Sequence, residues 1–188
     1  NDGVFVVDVA SGQARLVASY RQIYELLKGK FPELSRPPVG IFNQLFINHT
    51  YWSREGDRLW FVARWFREDS ATTYYTEGFT VRADGSRLRH NPVKLSHPDW
   101  DVAPIMMAGG NEVPGEPPGP DGRPRRHHIL YDTDAQRIVK IIDPEFFLAP
   151  GEPAFSPDRR WIASTEGGRD ERGRVRRVIV YHRESRTG

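Results

Sequence analysis

Apolar residues in this chain arrive in short runs separated by polar turns, a spacing that predicts strands rather than long helices. Four segments make the pattern plain: VFVVDVASGQARLV (Val4 to Val17), EGFTVRADGSRLRH (Glu77 to His90), HHILYDTDAQRIVK (His127 to Lys140) and VRRVIVYHRESRTG (Val175 to Gly188). Each is a β-rich run followed by an Asp, Ser or Gly turn. The first three continue into a second strand, the signature of a hairpin, and the fourth stops at its turn. RLWFVARWF (Arg58 to Phe66) is more uniformly apolar than strict alternation gives, which predicts a strand covered on both faces. YRQIYELLK (Tyr20 to Lys28) breaks the pattern: Ile23, Leu26 and Leu27 fall at helical spacing and predict one short helix. NEVPGEPPGPDGRPRR (Asn111 to Arg126) is a Pro/Gly-rich stretch expected to form a solvated loop.

The runs also repeat. With Phe155-Ser156 placed under Trp52-Ser53, HTYWSREGDRLWFVAR (His49 to Arg64) aligns with EPAFSPDRRWIAS, and HPDWDVAPIMMA (His97 to Ala108) is a weaker third copy. In the first two, an aromatic closes a short strand, a polar turn follows and a second apolar strand opens. Combined with the hairpins between them, the copies give four short strands per unit and a period of about 50 residues. Four-stranded antiparallel units at that period predict an all-β fold of the β-propeller type. The expected division is 1–48 for the end of one blade plus the helical insertion, 49–95 for a blade, 96–143 for a blade carrying the loop 111–126, and 144–188 for an incomplete blade. That amounts to about three blades, whereas propellers close with about four to eight. The expectation is therefore a longer protein, of which this chain is one arc, and poor solubility for the arc alone because open repeat ends expose apolar faces.

Composition narrows the function. The 188 residues are 38% hydrophobic and 12% aromatic, enough for a sizeable core. Basic and acidic residues number 27 and 25, a balance that argues against nucleic acid as a partner. No apolar run approaches the roughly 20 residues that span a bilayer. Cysteine is absent, which removes disulfides and thiolate metal sites. The chain opens at Asn1 and enters a strand almost at once, so its natural start is expected elsewhere, and both a cytoplasmic and a periplasmic location stay open.

The repeat turns three separated residues into one candidate constellation. His49, His97 and Glu152 each stand three positions before the aromatic of their copy. In a propeller, equivalent positions on the innermost strands point toward one channel, so the three are expected to converge there. Two imidazoles and a carboxylate form a recognised ligand set for a divalent first-row metal with open positions. The competing reading is that these polar groups simply hydrogen-bond across a wet channel. Arg64 could hold a carboxylate bidentately, or serve as a surface or inter-blade ion pair. His127 and His128 are adjacent on a strand and face opposite ways, His90 and His182 read as surface residues of hairpins, and Asp132-Thr133-Asp134 reads as a hairpin turn rather than a calcium loop. The Arg-rich segment 169–177 reads as a solvated hairpin tip. No nucleophile-elbow, phosphate-loop or dinucleotide fingerprint is present.

The pattern FSPDRRWI (Phe155 to Ile162) resembles the TolB-like propeller repeat, with Arg159 where a Gly is usual. NHTYWSREGDRLWFVARW (Asn48 to Trp65), SHPDW (Ser96 to Trp100) and GEPAFSPD (Gly151 to Asp158) are more narrowly similar to successive blades of the oligogalacturonate lyase family, over most of the chain from Gly3 to Tyr181. That resemblance implies a bacterial-type, seven-bladed propeller holding a divalent metal, typically Mn²⁺, on channel imidazoles and cleaving short uronate chains by β-elimination. Such a metal would neutralise the uronate carboxylate and acidify the adjacent C–H while a separate base took the proton. Two departures stand out: Glu152 replaces a family His, and Ala63 occupies a position where family members commonly carry a His. Two functions are therefore expected as alternatives. One is a divergent lyase-like propeller taking a metal or an acidic oligosaccharide at His49, His97 and Glu152; the other is a non-catalytic TolB-like scaffold for a protein partner.

Overall fold

The hairpins form where alternation and turn residues put them. In the computed structural model, which describes residues 2–147, 151–170 and 173–185 (without the side chains of 168–170 and 173–175), β1 (Gly3–Val7) pairs with β2 (Ala14–Ser19). β3 (Phe46–Trp52), β4 (Arg58–Phe66), β5 (Tyr74–Arg82) and β6 (Arg89–Asn91) make a four-stranded antiparallel sheet in chain order. β7 (Ser96–Trp100), β8 (Ile105–Asn111), β9 (His127–Asp132) and β10 (Arg137–Ile142) make a second. β11 (Ala154–Phe155), β12 (Trp161–Asp170) and β13 (Gly173–His182) make a three-stranded one. The fold is thus mostly β, built of antiparallel sheets of two to four strands. The chain divides into two compact units, Asn1–Lys94 and Leu95–Gly188.

In the first unit, β4 is buried along nearly its whole length, as its unbroken apolar run predicts. Leu59, Phe61, Ala63 and Trp65 join Val4, Val17, Ile23, Leu27, Phe79 and Val81 in one core. The helix α1 (Tyr20–Leu27) forms because Ser19 caps it: its hydroxyl accepts from the Gln22 backbone N–H while the Gln22 side chain takes the Ser19 N–H. Ile23 and Leu27 are buried, whereas Leu26, expected to share their face, is 45% exposed. Two contacts a turn apart suffice to seat so short a helix; it is tertiary burial, not intrinsic propensity, that holds it.

The polar turns of the repeat share one hydrogen-bond pattern across the two units. The Ser53 N–H donates to the Arg58 carbonyl and the Gly56 N–H to the Ser53 carbonyl; Ser156 and Arg159 do the same with Trp161 and Ser156. The turn needs a left-handed residue, supplied by Gly56 (φ 69°) in one copy and by Arg159 (φ 61°) in the other. An arginine there is strained by about 1–2 kcal/mol. Its side chain offsets this, since Nη1 donates to the Asp101 carbonyl at 3.0 Å while Arg183 donates to the Arg159 carbonyl at 2.9 Å.

In the second unit, β7 and β11 are tied by the Asp99 carboxylate, which accepts the Phe155 N–H at 2.7 Å. Arg183 grips Asp101 through both guanidinium nitrogens, at 2.7 and 3.2 Å. The core collects Met107, Ile142, Phe147, Phe155, Ile162 and Tyr181. On the opposite face of β12 and β13, Trp161, Val178 and Val180 are exposed. The loop expected to be solvated reaches back to the sheet through Glu116, whose carboxylate meets His127 Nε2 at 2.7 Å.

Candidate functional site

His97 and Glu152 are brought together by backbone, in a part of the second unit where there is no room for side chains. Ser96 pairs with Gly109 across β7 and β8. A Cβ on Gly109 would run into the Gly151 carbonyl, and a Cβ on Gly151 would run into the Thr165 carbonyl. That close approach sets the residue after Ser96 beside the residue after Gly151. The Glu152 N–H then donates to Thr165 Oγ1 at 3.3 Å, and its carboxylate stands 3.6 Å from His97 Nε2. His97 Nδ1 lies 3.1 Å from Ser96 Oγ, which fixes the ring from its other side.

The 3.6 Å separation is wider than a direct hydrogen bond and is the distance of a loose, exposed imidazole–carboxylate pair. Both side chains are exposed, at 47% and 62%. They open on a cavity of about 290 Å³ that Arg126, Glu166 and Arg176 also line. Glu166 was not visible from the repeat, yet its Oε1 is buried and has no hydrogen-bond partner among the described residues.

His49 occupies the equivalent place in the first unit. In β3 the register passes from Asn48 opposite Val62 to Tyr51 opposite Trp60, and in β7 from Ser96 opposite Gly109 to Asp99 opposite Met107. Each strand therefore carries one extra residue at the same point, a β-bulge. At both bulges the histidine backbone is left-handed, with φ 52° at His49 and 45° at His97. Glycine is the usual occupant of such a position, so two histidines there hold a conformation of higher energy. The His49 ring lies parallel to Tyr51 with centroids 6.4 Å apart. Glu152 precedes β11 and has no left-handed backbone, so the third copy shares the repeat position without the bulge.

Arg64 has its guanidinium over the Tyr74 ring, 4.6 Å from the centroid, and its Nε donates to Thr76 Oγ1 at 3.2 Å. Ala63 is fully buried in the first core. Opposite it across β4 and β5 stands Glu77, 2% exposed, whose carboxylate meets His90 Nε2 at 2.5 Å and Lys30 Nζ at 3.3 Å. His90, expected on the surface, is therefore drawn inward by a buried carboxylate. The neighbouring imidazoles of β9 do separate: His127 goes to Glu116, while His128 is 1% exposed, stacks on Phe147 at 4.3 Å and meets Ser164 Oγ at 2.9 Å. Burial pushes His128 down to about 4. Asp132 forms the expected turn, accepting the N–H groups of Asp134 and Ala135. His182 pairs with Ser185 Oγ at 2.8 Å. Of the Arg-rich segment 169–177, residues 169–170 and 173–177 continue β12 and β13 as a paired hairpin, with Arg169 opposite Arg174 and Asp170 opposite Gly173, and 171–172 lie outside the described residues.

Among the described residues, no group of three or more His, Asp or Glu side chains is set to hold a metal ion. The pair that meets is His97 with Glu152. No helix of the described chain is long and apolar enough to cross a membrane. Compared with known proteins, the chain matches no family model and no curated protein.

Proposed function

We propose that this chain is an arc of a β-propeller related to oligogalacturonate lyases, and that the cavity at His97 and Glu152 binds an acidic sugar. The observation that carries this reading is the His97–Glu152 pair itself, 3.6 Å apart at the mouth of a cavity lined by Arg126 and Arg176. Two cations suit a carboxylate, and an exposed imidazole beside an exposed carboxylate offers a donor and an acceptor to sugar hydroxyls. Support for the propeller comes from the consecutive four-stranded antiparallel sheets and from the apolar face of Trp161, Val178 and Val180, which a further sheet would cover. In this reading His49 and His97 are the residues that each blade presents inward, and a divalent metal such as Mn²⁺ is the cofactor to test.

The alternative is a non-catalytic scaffold for a protein partner, favoured by the buried Ala63 where the resembling family has a His. Titrating the intact protein with trigalacturonate, with and without Mn²⁺, separates the two. Binding that His97→Ala abolishes supports the sugar site, and release of an unsaturated uronate, followed by its ultraviolet absorbance, adds lyase activity. No binding under either condition removes the sugar reading and leaves the scaffold.

A further inference from the structure

β13 is the outer strand of its sheet, and none of the devices that usually guard a strand edge interrupts it. The sheet order is β11-β12-β13, so one side of β13 has a neighbour and the other has no paired strand among the described residues. The two four-stranded sheets end on guarded strands. β6 is three residues long and runs straight into Pro92, and β10 carries a register shift between Ile138 and Lys140, with the lysine exposed. β13, by contrast, is ten residues long and pairs with β12 throughout, from Trp161 opposite His182 to Asp170 opposite Gly173, without a shift of register. A long, regular strand with an open edge presents a row of N–H and C=O groups for another strand to pair with. Its side chains suit that as well. Ile179 and Tyr181 face the core, while Val178 and Val180 stand 75% and 48% exposed on the other face, which they share with Trp161.

The charge of the strand decides what fits there. GRVRRVIVYH contains three arginines and no acid, so two copies of β13 laid side by side would add positive charge to positive charge. Arg176 and Arg177 are both exposed and precede the run Val178–Tyr181, which makes this part of the edge basic first and apolar after. We propose that the open edge of β13 is a docking site for an extended segment of a partner protein. The segment adds antiparallel, like the pairs already present in this sheet, and carries a short β-branched run against Val178–Tyr181 followed by acidic residues against Arg177 and Arg176. Backbone pairing supplies the affinity, and the arginines supply the selection, since they repel a second copy and attract an acidic strand. The inference is independent of the sugar reading, because its ligand lies along a strand edge; it gives the scaffold alternative a place and a partner chemistry.

The test titrates the intact protein with labelled peptides, followed by fluorescence anisotropy. The probe is acetylated Thr-Val-Thr-Val-Glu-Glu-Glu, compared with its counterpart ending in lysines and with one carrying proline in place of the first valine. The acidic peptide is expected to bind about tenfold more tightly than the lysine peptide, because cross-strand pairs of like charge become pairs of opposite charge. The proline peptide is expected to bind about tenfold more weakly than the acidic one, since it loses backbone pairing. Arg176→Glu should bring the two charged peptides to within about threefold of each other, and Val178→Lys should weaken the acidic peptide by about threefold or more. Both positions are exposed; should one variant fail to fold, the other decides. Hydrogen exchange then locates the peptide, whose addition should slow the outward amides of β13. Equal binding of the acidic and lysine peptides overturns the proposal, as does undiminished binding of the proline peptide or no binding at all. Outward amides that are already slow and do not change on addition show an edge filled by the protein itself, and concentration-dependent dimerisation lost in Val178→Lys shows a second copy there; either result overturns it. An absence of trigalacturonate binding bears on the sugar reading alone.

Discussion

The two units carry the same bulged histidine and surround it differently. His49 and His97 share a repeat position, a one-residue bulge and a left-handed backbone. Around His49 the first unit offers an aromatic, Tyr51, and keeps its buried charge elsewhere, at Glu77 with His90 and Lys30. Around His97 the second unit offers Ser96, Glu152 and a cavity with charges of both signs. The repeat therefore dictates where an imidazole is presented, while the glycines next to it dictate what it meets. Gly78, separated from β3 by β4, differs in kind: a Cβ there would stand 3.2 Å from the buried Trp60 ring, a contact a few tenths of an ångström short rather than a collision with a carbonyl.

That contrast can be broken most sharply at the glycines. Gly109→Ala is expected to destabilise the second unit by about 4 kcal/mol, because the new methyl group collides with the Gly151 backbone, which cannot rotate away. Gly78→Ala in the first unit is expected to cost less, about 1–2 kcal/mol, since the methyl group would meet the buried Trp60 ring at 3.2 Å, tight but not overlapping. Urea denaturation midpoints of the two variants measure both, and equal losses would dissolve the distinction.

Acid should separate the units next. The second unit buries His128 against Phe147 and Ser164, whereas the imidazole buried in the first unit faces a carboxylate. With the folded value of His128 at about 4 and the ordinary value at 6.5, the unfolded chain takes up a proton that the folded chain refuses between those pH values. Stability is then complete above about pH 6.5 and falls as the pH drops toward 4, by about 3 kcal/mol in total. Denaturation midpoints recorded across this window in wild type and in His128→Gln check it: the variant should lose most of the acid slope. An unchanged slope would place the acid sensitivity elsewhere.

The smallest effect sharpens the comparison instead of breaking it. His49→Gly and His97→Gly are each expected to raise stability slightly, by about 0.5 kcal/mol, because relief of the left-handed strain exceeds the entropy lost by a freer unfolded chain. Only His97→Gly should also weaken ligand binding at the cavity. Thermal melts alongside titration distinguish a residue held in strain for a function from one held there by the repeat alone.

Much of the fold was legible because it is local. Hairpin turns at Asp8–Gly12, Asp84–Ser86 and Asp132–Ala135 bond their own neighbours, so residue type alone announces them. The short helix after Ser19 and the β4 run were readable from the spacing of their apolar residues. The repeat singled out His97 and Glu152 together with His49, and the structure sets the first two of these 3.6 Å apart. Other features depend on contacts distant in sequence and were not. Glu166 is set apart by the burial of its Oε1, His90 by a carboxylate on the neighbouring strand, and Arg64 by the Tyr74 ring beneath it. The left-handed backbone at the histidines was hidden as well, because a bulge is a property of register and histidine does not advertise it.

The strands of every sheet follow one another directly along the chain. Loop closure is therefore cheap for each sheet, and a growing polypeptide can complete one before the next has been synthesised. The ties between β7 and the later strands are of another kind: Phe155 reaches back 56 residues to Asp99, and Arg183 reaches back 82 to Asp101. They cannot close until the chain has been made through Arg183. The cavity beside His97 draws its walls from β7, β8, β12 and β13, so it takes shape only once strands made late have joined strands made early, and ligand binding there would report that long-range docking has occurred.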